Sequence, residues 1–263
     1  MRAGIRGRSW IDLVRDWLPF VAILVAYGVL HELAETLERG AHVQPQLGFD
    51  EWLFGGTAPT VRLQREFWHP GNPHWWDYAA WAVYLSHFVV PVTLAIVLWW
   101  RDLAGFFKFR TLVVTAAFAG FLTYVVYPAI PPWLASSRGD MGHSVRIVRA
   151  MWDHLGASGV AAAFGENSSV AFPVGALPSL HAAAPFMVML FFWNRAPHWR
   201  VLLVTYTAAM AVTLVYTADH FVFDILLGWT YAIVVYAVAT WWWKRHAHST
   251  TPAAATPTTT GVN

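Results

Sequence analysis

Two histidines and one carboxylate stand at the mouths of apolar segments in this chain. Pro178-Ser179-Leu180-His181 opens one segment, and His220-Phe221-Val222-Phe223-Asp224 opens another. An ionisable group inside a membrane helix costs about 2.5–3.5 kcal/mol by insertion scales, which makes such residues candidates for a site. His220 and Asp224 lie four apart, the spacing of neighbours on one helical face. A carboxylate there accepts from one imidazole nitrogen and leaves the lone pair of the other aimed outward, as an oriented nucleophile or base requires. His181 follows a proline and a serine at a helix start, where backbone N–H groups favour phosphate. Ser179 can contact that phosphate or cap the helix. A nucleophile with its orienter, an anion cradle and a candidate acid together describe phosphoryl transfer. Two histidines and an aspartate can also hold zinc with one open position. No His-Glu-x-x-His motif or second carboxylate cluster accompanies them, however.

The elements that position these residues must be membrane helices. The chain has 263 residues, of which 57% are hydrophobic and only 12% charged, which excludes an ordinary soluble enzyme. The net charge of +2 gives no nucleic-acid signal. Zero cysteines exclude disulfides, thiol catalysis and thiolate metal sites. Apolar runs predict an all-α, polytopic membrane bundle of about six transmembrane helices. They lie near Trp17–Thr36, Asp77–Trp100, Thr111–Tyr127, Pro178–Trp193, Trp199–Thr217 and Phe221–Trp243. Tryptophans gather near their ends (Trp17, Trp75, Trp76, Trp99, Trp100, Trp199, Trp241, Trp242, Trp243), as interfacial belts require.

Residues 1–16 read as a basic cytoplasmic N-terminus, 17–245 as the membrane-embedded domain, and 246–263 as a disordered Thr/Pro/Ala tail. With the N-terminus inside, the inner segments carry Arg2, Arg6, Arg8, Arg15, Arg101, Lys108, Arg110, Arg195, Arg200, Lys244 and Arg245. The outer ones carry Arg39, Arg62, Arg65, Arg138, Arg146 and Arg149, so the positive-inside rule puts both histidine motifs on the outer face. The expected location is the plasma membrane, with both termini cytoplasmic. Two long outer segments remain. Arg39–Trp76, rich in Gly and Pro, reads as a folded cap or re-entrant interfacial loop. In Pro128–Leu177, apolar residues recur at helical spacing over Ser144–Leu155, as in an interfacial helix. His87, in mid-segment, reads as a hydrogen bond to a neighbouring helix or as support for the site.

Pro-Ser-x-His followed by His-x-x-x-Asp resembles the type 2 phosphatidic acid phosphatase superfamily of membrane lipid phosphatases. Leu180 and the run Tyr127-Pro128-Ala129-Ile130-Pro131-Pro132-Trp133 look like its inositol phosphorylceramide synthase-like branch, across most of Trp52–Trp243. The resemblance implies that His220 is a nucleophile forming a phosphohistidine, Asp224 its orienter, and His181 the acid that protonates the leaving alkoxide. The substrate would be a lipid phosphate or phospholipid, with no metal and no cofactor required. Water as acceptor makes a phosphatase, and another alcohol makes a head-group phosphotransferase. The other classes are a non-enzymatic scaffold or transporter-like protein retaining the fold, and a metal-dependent hydrolase. The chain departs from the superfamily in lacking its upstream Lys and Arg-Pro motif. It carries Leu214 where an arginine six residues before the nucleophile is usual, and Ala218 where glycine is usual. A phosphate in a membrane mouth needs cations, preferably forked guanidinium. Arg138, Arg146 and Arg149 are the outer-face candidates, the last two on one face of the predicted interfacial helix.

Overall fold

The computed structural model describes residues 9–38, 40–157, 159–160 and 173–247. Residues 1–8 of the basic N-terminus, Arg39, 158 and 161–172 of the Pro128–Leu177 segment, and 248–263 of the tail lie outside the described residues.

The chain begins with α1 (Trp10–Glu32), started by a reciprocal cap in which Ser9 and Asp12 satisfy each other's backbone N–H. Four short helices or long spans follow in order: α2 (Ala34–Glu38), α3 (Gln46–Leu53), α4 (Pro59–Phe67) and α5 (Trp75–Arg101). Then come α6 (Leu103–Val126), α7 (Pro132–Arg138), α8 (Ile147–His154), α9 (Leu180–Phe192), α10 (Arg200–Tyr216) and α11 (Val222–Ala247). The helices α1, α5, α6 and α11, and α10 together with the 3₁₀ turn Pro197–Trp199 that leads into it, are long and apolar enough to cross a membrane, and α9 is a shorter apolar helix. The multi-pass all-α architecture is therefore present, with five full-length spans among the described residues where about six were expected.

At 13 residues, α9 covers about 20 Å of a hydrocarbon core of about 30 Å. It is the central helix, packed against α11, α10, α6 and α5. Lipid offers no hydrophobic drive for this packing, so close approach through small residues has to supply it. Gly228 of α11 lies against the Ser179 backbone, where an added Cβ would sit 2.3 Å from the carbonyl oxygen. That is roughly 1 Å inside van der Waals contact. Gly228→Ala should push α11 off α9 and separate His181 from His220. Steady-state turnover should then fall about 100-fold, the usual consequence of a 1 Å misplacement. Unchanged turnover would show that the two helices are not held at this contact.

The short helices cap one end of the bundle. Leu47, Ala58, Ile130, Trp133, Leu134 and Val174 form their apolar core, together with Ala218 and Phe221 beside the second histidine motif. Two isolated parallel bridges, His42 to Ala129 and Ala129 to Gly175, join three separate segments. Within the Tyr127–Trp133 run, Tyr127 Oη donates to the Gln44 carbonyl and the Ala129 carbonyl accepts from Ala176 N–H. Trp133 N–H donates to the Ala218 carbonyl. Gln64 of α4 bonds Val145 through both its amide oxygen and nitrogen, and also donates to the Tyr216 carbonyl. Asp50 of α3 accepts from Val222 N–H at 2.9 Å and Phe223 N–H at 3.1 Å, capping α11 where its orphan donors need a partner. The segment between α1 and α5 is thus a folded cap, one of the two forms expected for it.

Candidate active site

Ser179 is fully buried and is the N-cap of α9, its Oγ accepting from Ala182 N–H at 3.1 Å. Its backbone N–H donates to the Asp224 carbonyl at 3.0 Å, joining the two motifs directly. His181 follows in the first turn. Its ring lies against three side chains of α5: Tyr84 at 5.2 Å, His87 at 4.4 Å and Phe88 at 6.0 Å between centroids. His87 therefore belongs to the wall of this site.

His220 stands just before α11, in a turn made possible by Ala218 in the left-handed region (φ 64°). The N–H groups of both Asp219 and His220 donate to the Leu214 carbonyl. His220 is 3% exposed. Its Nδ1 lies 3.0 Å from the Ala176 carbonyl, and its Nε2 lies 3.2 Å from His181 Nδ1. A carbonyl can only accept, so the Nδ1 proton of His220 is assigned by this bond. Nε2 is then the lone pair, and His181 Nδ1–H is the donor pointing at it.

The relation between His220 and Asp224 differs from the expected one. Helix α11 begins at Val222, so His220 is not one helical turn from Asp224. The Nδ1–Oδ2 separation is 3.6 Å, outside hydrogen-bonding range. Asp224 Oδ2 instead accepts from Phe221 N–H at 2.9 Å. The tautomer is held by the Ala176 carbonyl, with the carboxylate close by as an electrostatic partner. Asp224→Asn should therefore lower kcat by only about 10- to 100-fold, whereas about 10⁴-fold is lost where a carboxylate alone sets the tautomer. A loss on that larger scale, measured with lipid substrate, would return the orienting role to Asp224.

The three candidate guanidinium groups separate. Arg146 is not helical but is the N-cap of α8, which starts three residues later than the apolar repeat from Ser144 suggested. Its Nε donates to Asp219 Oδ1 at 2.9 Å, with the two side chains 11% and 4% exposed. Its guanidinium lies 5.5 Å over the Trp133 ring and reaches Tyr84 Oη at 3.5 Å. Burial opposes its charge, but Asp219 and Tyr84 outweigh that and raise its pKa. Arg149 lies half exposed, 4.0 Å from Asp153. Arg138 bonds Glu38 at 2.5 Å. The shared helical face expected for Arg146 and Arg149 does not form, because only the second of them lies in the helix. Asp219 was missed by the sequence reading. The available signal was a carboxylate directly before His220, between two predominantly apolar segments. Among the described residues, no three His, Cys, Asp or Glu side chains converge closely enough to hold a metal ion.

Burial pushes the His220 imidazole down to about 4, with Asp219 and the Ala176 carbonyl pulling the other way. His220 is then neutral throughout the physiological range. In kcat/KM, the acid limb due to its protonation should lie near pH 4, not at the ordinary histidine value of about 6.5. The sign for stability follows: between those values the unfolded chain binds the proton and the folded one does not, so stability falls as pH drops through that window. An acid limb at pH 6 or above would contradict a desolvated His220.

A family model described as PAP2 superfamily matches residues 48–238. The chain is 26% identical over 165 residues to the phosphoinositol dihydroceramide synthase of Bacteroides thetaiotaomicron, covering 59% of this chain and 53% of that protein. It is 32% identical over 123 residues to the inositol phosphorylceramide synthase catalytic subunit of Saccharomyces cerevisiae, covering 44% and 30%. With the inositol phosphorylceramide synthase of Candida albicans the identity is 26% over 178 residues, covering 61% and 35%. The chain thus spans between 30% and 53% of the length of these relatives. No solved structure matches it significantly.

Proposed function

The chain belongs to the PAP2 superfamily, and from that premise we propose that it is a membrane lipid head-group phosphotransferase. It moves an inositol-phosphoryl group from an inositol phospholipid to a ceramide-like alcohol. The names of the three relatives support the group and the acceptor class. The observation that carries the reaction type is the arrangement of His220, with Nδ1 on the Ala176 carbonyl and Nε2 facing His181 Nδ1.

His220 Nε2 attacks phosphorus as the bond to the leaving lipid oxygen breaks. His181 enters this step as the imidazolium, gives its Nδ1 proton to that oxygen and becomes neutral imidazole, and a phosphohistidine remains. The acceptor hydroxyl then attacks phosphorus, loses its proton to His181, and the nitrogen–phosphorus bond breaks. The proton that faces the nucleophile at rest is therefore the one delivered to the leaving group. Phosphate entry must first part the two rings. Asp224 offers negative charge beside the His220 Nδ1–H, which strengthens as an acid once Nε2 is phosphorylated. Ser179 fixes the start of α9, and Arg146 is the cation of the site. Arg138 and Arg149, each turned to a carboxylate of its own, are left as contacts for a bulky head group at the rim. The excess of inner basic residues supports cytoplasmic termini and a site on the outer face of the plasma membrane.

The test uses purified protein with lipid phosphates, diphosphates and inositol phospholipids, with and without ceramide or other alcohols. Acceptor-dependent transfer with little free phosphate is the expected result. Phosphate or inositol phosphate release to water, indifferent to acceptor, would make the protein a hydrolase instead. No turnover on any donor would remove the enzymatic reading.

A further inference from the structure

Buried ion pairs are costly to build, because both ions lose water, and breaking one by removing a partner is more costly still. The pair Arg146–Asp219 stands beside the two histidines, and its carboxylate has no part in the proton transfers above. Its surroundings indicate what it does. Asp219 Oδ1 takes Arg146 Nε, and Oδ2 takes Thr217 Oγ1 at 2.7 Å, so the carboxylate is held at both oxygens. The backbone of Asp219 is fixed with that of His220, both N–H groups sharing the Leu214 carbonyl. Trp133, the ring beneath the guanidinium, is bonded through its own N–H to Ala218 of the same turn. The start of α8 is tied there as well, since Ile147 N–H donates to the Thr217 carbonyl.

Nucleophile, carboxylate and the platform under the cation therefore form one rigid piece. From this we infer that Asp219 is a positioning residue, which sets the guanidinium of Arg146 at a fixed offset from His220 Nε2 so that it meets the incoming phosphoryl group. The inference rests on the phosphoryl-transfer reading. A merely structural clasp between α8 and the turn is a weaker account, because the Ile147–Thr217 backbone bond already joins them. Planarity matters here: one carboxylate oxygen on Nε fixes the plane of a guanidinium, while an ammonium at the same place would keep its charge and lose its direction.

The experiment measures orthovanadate affinity, and kcat and KM with inositol phospholipid, for wild type, Asp219→Asn, Arg146→Lys and the double variant. Helical content and thermal midpoint in detergent serve as folding controls. Asp219→Asn should weaken vanadate binding about tenfold or more, the scale of a coupled pair. The double variant should bind no more weakly than Arg146→Lys alone. Vanadate binding by Asp219→Asn at the wild-type level would overturn the inference, as would losses that multiply in the double variant. If Asp219→Asn fails to fold, Thr217→Val decides. It removes one hydrogen bond to Oδ2 and should weaken vanadate about threefold, and an unchanged affinity would again overturn the inference. Wild-type protein that binds no vanadate would instead sink the phosphoryl-transfer reading, and this inference with it.

Discussion

Replacing His220 with alanine should reduce lipid turnover about 10⁴-fold or more, the scale on which nucleophile removal acts in covalent catalysis. It should also abolish the acid-labile phosphoprotein formed when wild-type enzyme is quenched with labelled donor. The argument is geometric. Nε2 is the one nitrogen of this imidazole whose lone pair is available, because the Ala176 carbonyl fixes the proton on Nδ1. The ring is almost wholly buried, so water cannot take its place without opening the cap. Alanine also leaves the Ala176 carbonyl without this donor, a desolvation cost of about 1–3 kcal/mol. His220→Asn is therefore the companion variant, since its amide can still donate to that carbonyl. Turnover should be lost in both, while the thermal midpoint should fall further in the alanine variant. Phosphoprotein of wild-type yield in either would place the covalent step on another residue.

The elements were legible in the sequence wherever the signal was local. Apolar length gave the long spans, and the two motifs gave His181, His220 and Asp224, because charged or titratable groups at such positions are rare. Boundaries were less legible. Helix α1 starts at Trp10, seven residues before the expected Trp17, because its Ser9–Asp12 cap lies upstream of the apolar run. Helix α6 starts at Leu103, with Asp102 accepting from Gly105 N–H, and runs straight through Lys108 and Arg110. Long basic side chains at a membrane edge reach the interface without ending a helix, so taking Thr111 as the start set the boundary too late.

What the sequence concealed was the set of contacts between distant segments. The tautomer of His220 depends on the carbonyl of Ala176, 44 residues away, and Ala176 is placed by Ala129, which the His42 segment holds from the other side. No residue type marks a backbone carbonyl as functional. Asp50 and Gln64 look like ordinary polar residues of a Gly/Pro-rich outer segment, yet they cap α11 and tie α4 to Val145 and Tyr216. The cap is thus as much a part of the site as the motifs, since it supplies the groups that orient them.

The second large effect belongs to His181, and it should depend on the leaving group. His181→Asn keeps a donor near His220 Nε2 but has no proton to surrender. With a lipid alkoxide as leaving group, turnover should fall by about 10²- to 10⁴-fold, the usual contribution of a positioned general acid. With a phenolic leaving group of low basicity, which departs without a proton, the first step should fall about tenfold or less. Acceptor attack still needs a base, so the phosphohistidine should accumulate: a burst of phenol equal to the enzyme, then a slow phase. Equal losses with both donors, or no burst, would assign the acid to another group, and His87 at 4.4 Å from the His181 ring is the first to examine. The resting contact sharpens the distinction. His181 Nδ1 sits 3.2 Å from His220 Nε2, so in the proposed mechanism the one histidine both covers the attacking lone pair and carries the proton for the departing oxygen. Asparagine at 181 takes the acid away while leaving Nε2 able to attack, so only a donor that needs no acid should keep its first step.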